Sequence, residues 1–170
     1  TGSPKTIAIV GAGPAGLSTA IAAAERGHRV TLFDAADEIG GQLNMAKQVP
    51  GKEEFWGLVD WYRTMVAKAG VTLEMGRYVG AEDLKGFDEV VIATGVIPRD
   101  PHIPGQDHAS VVSYIDVLRH KVPVGDKVAV IGAGGIGFDV SEYLLHEGES
   151  PSESLPLWMR EWGVTDPAEH

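Results

Sequence analysis

Apolar residues in this chain fall into short β-branched runs, each broken by a glycine turn and followed by a stretch with helical spacing. Residues 5–10 (KTIAIV) predict a strand that runs straight into GAGPAG. Residues 14–26 are alanine-rich, with Leu17, Ile21 and Ala24 on one stripe, and Gly27 supplies a stop signal. Residues 28–33 (HRVTLF) predict a second strand that ends at Asp34. Strand, helix and strand within about thirty residues make a βαβ unit, whose crossover helix dictates parallel pairing.

A glycine- and proline-punctuated loop, EIGGQLNMAKQVPGKEE, comes next. Residues 53–69 predict a long amphipathic helix, with Phe55, Val59, Tyr62, Val66 and Ala69 on its apolar stripe and Glu54, Asp60, Arg63 and Lys68 mainly off it. Short strands are predicted at 71–75, 77–80 and 88–93, the last (DEVVIA) running into Thr94-Gly95. Pro98, Pro101 and Pro104 mark a crossover loop, and residues 113–120 a short helix. Residues 127–131 predict a strand before a second glycine turn, and 134–146 the helix after it. Beyond Gly148 the pattern changes to polar GESPSES, then to SLPLWMREWG, a short helix with Leu155, Trp158, Met159 and Trp162 on one face. No further β-branched strand ending in a charged residue appears, so a second βαβ unit is started and not completed. The expected fold is α/β: a Rossmann-like domain with a parallel sheet, plus an incomplete second dinucleotide-binding unit.

Two motifs carry chemistry. Gly11-Ala12-Gly13-Pro14-Ala15-Gly16 satisfies G-x-G-x-x-G between a strand and a helix. In that setting the first glycine permits the tight turn, the second lets a pyrophosphate approach the backbone, and the third permits close helix–strand packing. The unpaired N–H groups of the first helical turn, around Ala15 and Gly16, then face the phosphates. Asp34 sits close to the position, about twenty residues on, of the carboxylate that accepts ribose hydroxyls. An acid there suits a free 2′-hydroxyl, as in FAD or NAD, and opposes NADP at this first site. Gly40-Gly41-Gln42 reads either as backbone passing close to a ring or phosphate or as an ordinary flexible loop. Gly132-Ala133-Gly134-Gly135-Ile136-Gly137 repeats the fingerprint and points to a second dinucleotide, but lacks the strand that would choose between NAD and NADP.

Composition narrows the class. The 170 residues fit a one-domain length, and the formal charge of -10 opposes a nucleic-acid partner. There is no cysteine, which excludes a disulfide, a thiolate-held cluster or a redox pair within these residues. No apolar run approaches membrane-spanning length, and the expected compartment is the cytoplasm. The six histidines lack metal-ligand spacing, and Ser18, Ser113 and Ser141 have no G-x-S-x-G context. Lys52 reads either as a surface lysine or as a partner for a phosphate or ring oxygen. Trp56 and Trp61 lie partly off the long helix's stripe, as packing residues or as the cover of a surface meant for a neighbour.

GAGPAG with LFDA, EIGGQLNMAKQVPGKEEF, VIATG and VAVIGAGGIGFDV together resemble the bacterial NADPH-dependent 2,4-dienoyl-CoA reductases, grouped with the trimethylamine dehydrogenase-like flavoproteins. The GGQLNMAKQVPGKEEF stretch is the specific part. The resemblance implies that residues 4–122 are an FAD-binding domain lacking its C-terminal return segment, and 123–170 the beginning of an NAD(P)H-binding domain. It implies hydride passage from NADPH to FAD, with electrons continuing through a 4Fe-4S cluster to FMN in a barrel domain absent here. Matching positions put the pyrophosphate at Gly11–Gly16, the adenosine ribose at Asp34, and the rest of FAD near Gly41, Gln42 and Lys52. The Val79 backbone would meet the adenine, and Ala93, Thr94 and Gly95 would lie on the flavin side. Gly132, Gly134, Gly135 and Gly137 would take NADPH.

On this reading the chain is an electron-transfer piece of a longer enzyme, with no side chain of its own in a catalytic role and no dienoyl-CoA reduction by itself. An amine dehydrogenase-like or glutamate synthase-like relative would share its fold and first fingerprint. A non-catalytic adenine-nucleotide-binding or interaction module, self-associating through exposed apolar surface, is the alternative from another class.

Overall fold

The computed structural model describes residues 2–165. Four strands, β1 (Thr6–Val10), β2 (Arg29–Phe33), β3 (Thr72–Glu74) and β4 (Glu89–Ile92), form one parallel sheet in the order β3-β2-β1-β4. The sheet's centre is β1, where Ile9 pairs with Leu32 on one side and Val91 on the other. Helix α1 (Pro14–Glu25) joins β1 to β2, and parallel pairing needs such a crossover because a tight turn cannot reverse the chain twice. Helix α3 (Glu54–Lys68) follows the short helix α2 (Leu43–Ala46).

The chain divides into two compact units, residues 1–44 with 56–100, and 45–55 with 101–170. In the first, Ile7, Ile9, Val30 and Leu32 of the sheet pack with Leu17, Ala20 and Ile21 of α1 and Val59, Tyr62 and Val66 of α3. Ile9, Leu17, Leu32 and Val66 are completely enclosed, each a burial worth about 1.5–3 kcal/mol. The Tyr62 hydroxyl and the Ser18 hydroxyl meet at 2.8 Å, so the polar end of a buried ring is satisfied. Three of the five residues on the predicted stripe of α3, Val59, Tyr62 and Val66, are buried, while Trp56 and Trp61 stay half exposed.

The second unit has its own small core, Met45, Val49, Val117, Leu118 and Val140, built around α4 (Tyr114–Leu118) and α5 (Gly135–Leu145). Ser113 caps α4 reciprocally with Asp116: the Ser113 hydroxyl accepts the Asp116 N–H, and the Asp116 carboxylate accepts the Ser113 N–H, each at 3.1 Å. Residues 45–55 pack with this second core. Helix α6 (Leu155–Trp162) buries no residue, and Gly163 ends it in the left-handed conformation at φ 63°.

Two predicted strands do not form. Residues 77–80 instead leave β3 through Gly76 at φ 67°, and the Asp83 carboxylate takes up the Gly80 N–H at 2.9 Å. Residues 127–131 are irregular, because a strand exists only against a ladder partner and none of the described residues supplies one. None of the described helices is long and apolar enough to cross a membrane.

One clasp ties the ends of the second unit together. The Glu53 carboxylate accepts the Gly51 N–H at 3.0 Å and the Ser152 hydroxyl at 2.5 Å, and Ser152 also meets Ser150 at 2.9 Å. Burial works to raise the Glu53 pKa, but the Ser150 and Ser152 hydroxyls and the Glu53 and Gly51 amides together outweigh it and lower it to about 2. A depressed carboxyl stabilises the fold above its ordinary pKa and loses that contribution as pH falls through the folded value. Stability of this unit is therefore expected to fall between about pH 4.5 and about pH 2. Glu53→Gln should remove about 1 kcal/mol of that acid dependence, after allowance for solvent screening. Urea titrations across that range check it, and an unchanged pH slope in the variant would show that the clasp carries no stability.

Candidate nucleotide-binding site

The site begins where β1 ends. Gly11 turns the chain at φ 111°, and its N–H donates to the Phe33 carbonyl at 2.7 Å, locking the turn to the end of β2. A Cβ on Gly11 would lie 2.2 Å from the Ala93 carbonyl oxygen, and one on Gly16 only 1.8 Å from the Gly11 carbonyl oxygen. Both glycines are therefore required by the protein's own packing. Gly13 is different. Its backbone is extended, at φ -78° and ψ 179°, which any residue adopts, and a Cβ there would meet nothing within 4 Å. The space above Gly13 is open, and it lies at the N-terminus of α1. Pro14 occupies the first helical turn, and Leu17 N–H is the first to bond back, to the Gly13 carbonyl at 3.0 Å. Helix geometry thus leaves the Ala15 and Gly16 N–H groups without intrahelical acceptors, at the end that carries the positive half of the helix dipole. A diphosphate fits this cradle.

The structure gathers several predicted residues around that turn. The Asp34 carboxylate accepts the Ala12 N–H at 2.6 Å with one oxygen and the Ala36 N–H at 2.8 Å with the other. Gly40 N–H donates to the Ala12 carbonyl at 2.8 Å, and a Cβ on Gly41 would approach the Gly13 Cα to 3.0 Å. The Gly40-Gly41 backbone is thus packed against the turn. Ala93 N–H donates to the Val10 carbonyl at 2.7 Å, so the end of β4 runs past Gly11 and leaves Thr94 and Gly95 exposed beside it. Val79 is half-buried, two residues beyond Arg77, whose N–H donates to the Asp34 carbonyl at 2.8 Å. Gln42 is exposed.

In the second unit the other glycine turn has the same local geometry. Gly132 has φ 118°, Gly134 is extended at φ -88° and ψ -178°, and a Cβ on Gly137 would lie 2.0 Å from the Gly132 carbonyl oxygen. Gly134 and Gly135 again have nothing within 4 Å of an added Cβ. The turn keeps this shape although the strand expected before it is absent. Lys52 is not a lone surface charge: its ammonium pairs with Asp139 of α5 at 2.6 Å, both side chains about one-third exposed. Asp139 went unnoticed in the sequence because its partner is 87 residues away; its only signal was an acid one turn into the helix that follows the second fingerprint. Among the described residues no group of three or more His, Cys, Asp or Glu side chains is arranged to hold a metal ion.

A parallel sheet ordered 3-2-1-4, with a glycine turn and an open helix N-terminus at the end of its first strand, defines a Rossmann-like dinucleotide-binding protein. Residues 5–151 match the pyridine nucleotide-disulphide oxidoreductase family, and the chain belongs to it. The family implies FAD and NAD(P) as cofactors, and the cradle at Gly13 fits their shared diphosphate. An NADH oxidase of Thermoanaerobacter brockii is 37% identical over 150 residues, covering 85% of this chain and 23% of the relative. An N,N-dimethylglycine/sarcosine dehydrogenase of Chromohalobacter salexigens is 34% identical, covering 86% and 23%. A solved structure of 2-naphthoyl-CoA reductase with 2-naphthoyl-CoA superposes with a TM-score of 0.79 at 35% identity, covering 84% of this chain and 22% of that one. The chain thus spans less than a quarter of the length of each of these relatives.

The glycine geometry separates ligand from packing. Gly13→Val should leave the fold intact by circular dichroism yet reduce adenine-dinucleotide affinity at least about tenfold, by filling the space over the turn. Gly16→Ala should instead destabilise the first unit by about 1–3 kcal/mol or more, since its Cβ meets a backbone carbonyl. Chemical denaturation of both variants checks the contrast, and equal stability losses would refute it.

Proposed function

We propose that this chain is the FAD- and NADPH-binding electron-transfer part of a flavoprotein that reduces 2,4-dienoyl-CoA thioesters in the β-oxidation of unsaturated fatty acids. The observation that carries the nucleotide reading is the unfilled space over Gly13, at a glycine that neither its backbone conformation nor its packing requires. FAD is assigned to the first turn, with its pyrophosphate on Gly11–Gly16 and its ribose toward Asp34. Its adenine is assigned to the Val79 backbone, the rest of FAD to Gly41 and Gln42, and its flavin side to Ala93–Gly95. NADPH is assigned to Gly132, Gly134, Gly135 and Gly137. When bound, the nicotinamide and isoalloxazine supply the hydride donor and acceptor, and this chain's residues bind and orient them. With no cysteine present, any 4Fe-4S cluster would take its thiolates from sequence beyond these residues, as FMN would take its barrel. The acyl-CoA class is supported by the similarity to 2-naphthoyl-CoA reductase, a protein named for reducing an acyl thioester.

A second reading, oxidation of an N-methylated amine, is favoured by the similarity to N,N-dimethylglycine/sarcosine dehydrogenase. The apolar side chains at Ile92 and Ile97 in one unit and Leu155 and Trp162 in the other, each more than half exposed, suit a chain that docks against further protein.

Titration of the chain with FAD, read as quenching of flavin fluorescence, is expected to saturate and to be lost in Gly13→Val; no saturable quenching would sink the reading. A polypeptide of the relatives' full length that contains these residues separates the substrate classes. NADPH consumption driven by a 2,4-dienoyl-CoA is the expected result, and turnover of dimethylglycine in its place would establish the second reading.

A further inference from the structure

Asp34 is expected to act on the ribose, yet both of its oxygens are engaged with backbone. One accepts the Ala12 N–H at 2.6 Å and the other the Ala36 N–H at 2.8 Å, so the carboxylate is fixed in rotation and aimed at the glycine turn. Ala12 is wholly enclosed, so without Asp34 its N–H would be a buried donor with no acceptor. On its other side, the Ala12 carbonyl accepts the Gly40 N–H at 2.8 Å. Ala12 is thereby held from both sides, between Gly11, which turns the chain, and Gly13, where the open space lies. A negative carboxylate placed near a diphosphate repels it. Any favourable effect of Asp34 on diphosphate binding must therefore pass through the backbone it holds.

We propose that Asp34 is a positioning residue for the glycine turn: by clamping the Ala12 amide it presets the backbone that receives a diphosphate, whether or not the ligand offers ribose hydroxyls. The proposal rests on the nucleotide-site reading above. It adds that an acid in this position governs the phosphate end of the site as well as the sugar end. A carboxylate oxygen has lone pairs to spare after one hydrogen bond, so holding Ala12 does not prevent Asp34 from also accepting from a ribose.

Calorimetry with ADP and with 2′,3′-dideoxy-ADP, on the unaltered chain, Asp34→Ala and Asp34→Asn, separates the two roles. Asp34→Ala is expected to weaken both ligands by a similar factor, about tenfold or more, the scale of a lost charge-assisted hydrogen bond. Asp34→Asn keeps an oxygen that can accept from Ala12, and is expected to recover most of that affinity for both ligands. The Ala12 amide proton should move upfield, and exchange faster with solvent, in Asp34→Ala. A loss confined to ADP, with dideoxy-ADP bound as before or more tightly, would overturn the proposal and leave Asp34 a ribose ligand only. Where Asp34→Ala does not fold, Asp34→Asn carries the comparison, with a few-fold loss expected on both ligands together. Should the unaltered chain bind neither nucleotide, the nucleotide-site reading fails. The Ala12 amide in Asp34→Ala then still decides the clamp: an unmoved resonance overturns it.

Discussion

The approach of α1 to the carbonyl of Gly11 is the contact on which the first unit depends. A Cβ at Gly16 would come within 1.8 Å of that oxygen, so the helix can enter the sheet here only because the residue lacks one. The close entry brings Leu17 and Ile21 down onto Ile9 and Leu32, where they are sealed from water. It also leaves the unbonded N–H groups at the start of α1 at the C-terminal end of β1, where ligands of open α/β sheets bind. Packing and binding thus share one cause.

The same cause explains why the neighbouring loops are where they are. A turn this tight exposes its backbone donors and acceptors, and buried ones must be satisfied. Phe33 supplies a carbonyl to Gly11, Asp34 a carboxylate to Ala12, Gly40 an amide to the Ala12 carbonyl, and Ala93 an amide to Val10. Three separate parts of the chain, at 33–34, 40 and 93, converge on Val10, Gly11 and Ala12. The second fingerprint repeats the local half of this arrangement, the left-handed Gly132 and the close approach of Gly137 to its carbonyl, without a sheet beside it. The turn geometry is local; the sheet is not.

Exposed large apolar side chains lie on β4 and α6 and also along irregular segments, as at 96–97 and 111–112. Val90 and Ile92 of β4, at the end of the strand order, and Leu155, Trp158 and Trp162 on the apolar face of α6 are all exposed. Amphipathic spacing states that a face is apolar and says nothing of what covers it.

The glycine spacings, the β-branched runs and the helical stripe of α3 made the parallel sheet, the first turn and its acid legible from residues alone, because each is a short-range pattern with a steric cause. The same reading put strands at 77–80 and 127–131, where β-branched composition was right and ladder partners were lacking. It missed α2 and the Lys52–Asp139 pair, whose members are 87 residues apart. What the sequence determined by itself is the set of local conformations: which residues can turn, cap and bury. Only the tertiary structure decided that Gly40 and Asp34 hold the two sides of Ala12, and that Lys52 pairs with Asp139. Those contacts join distant segments, and they become favourable only after the core has brought the segments together.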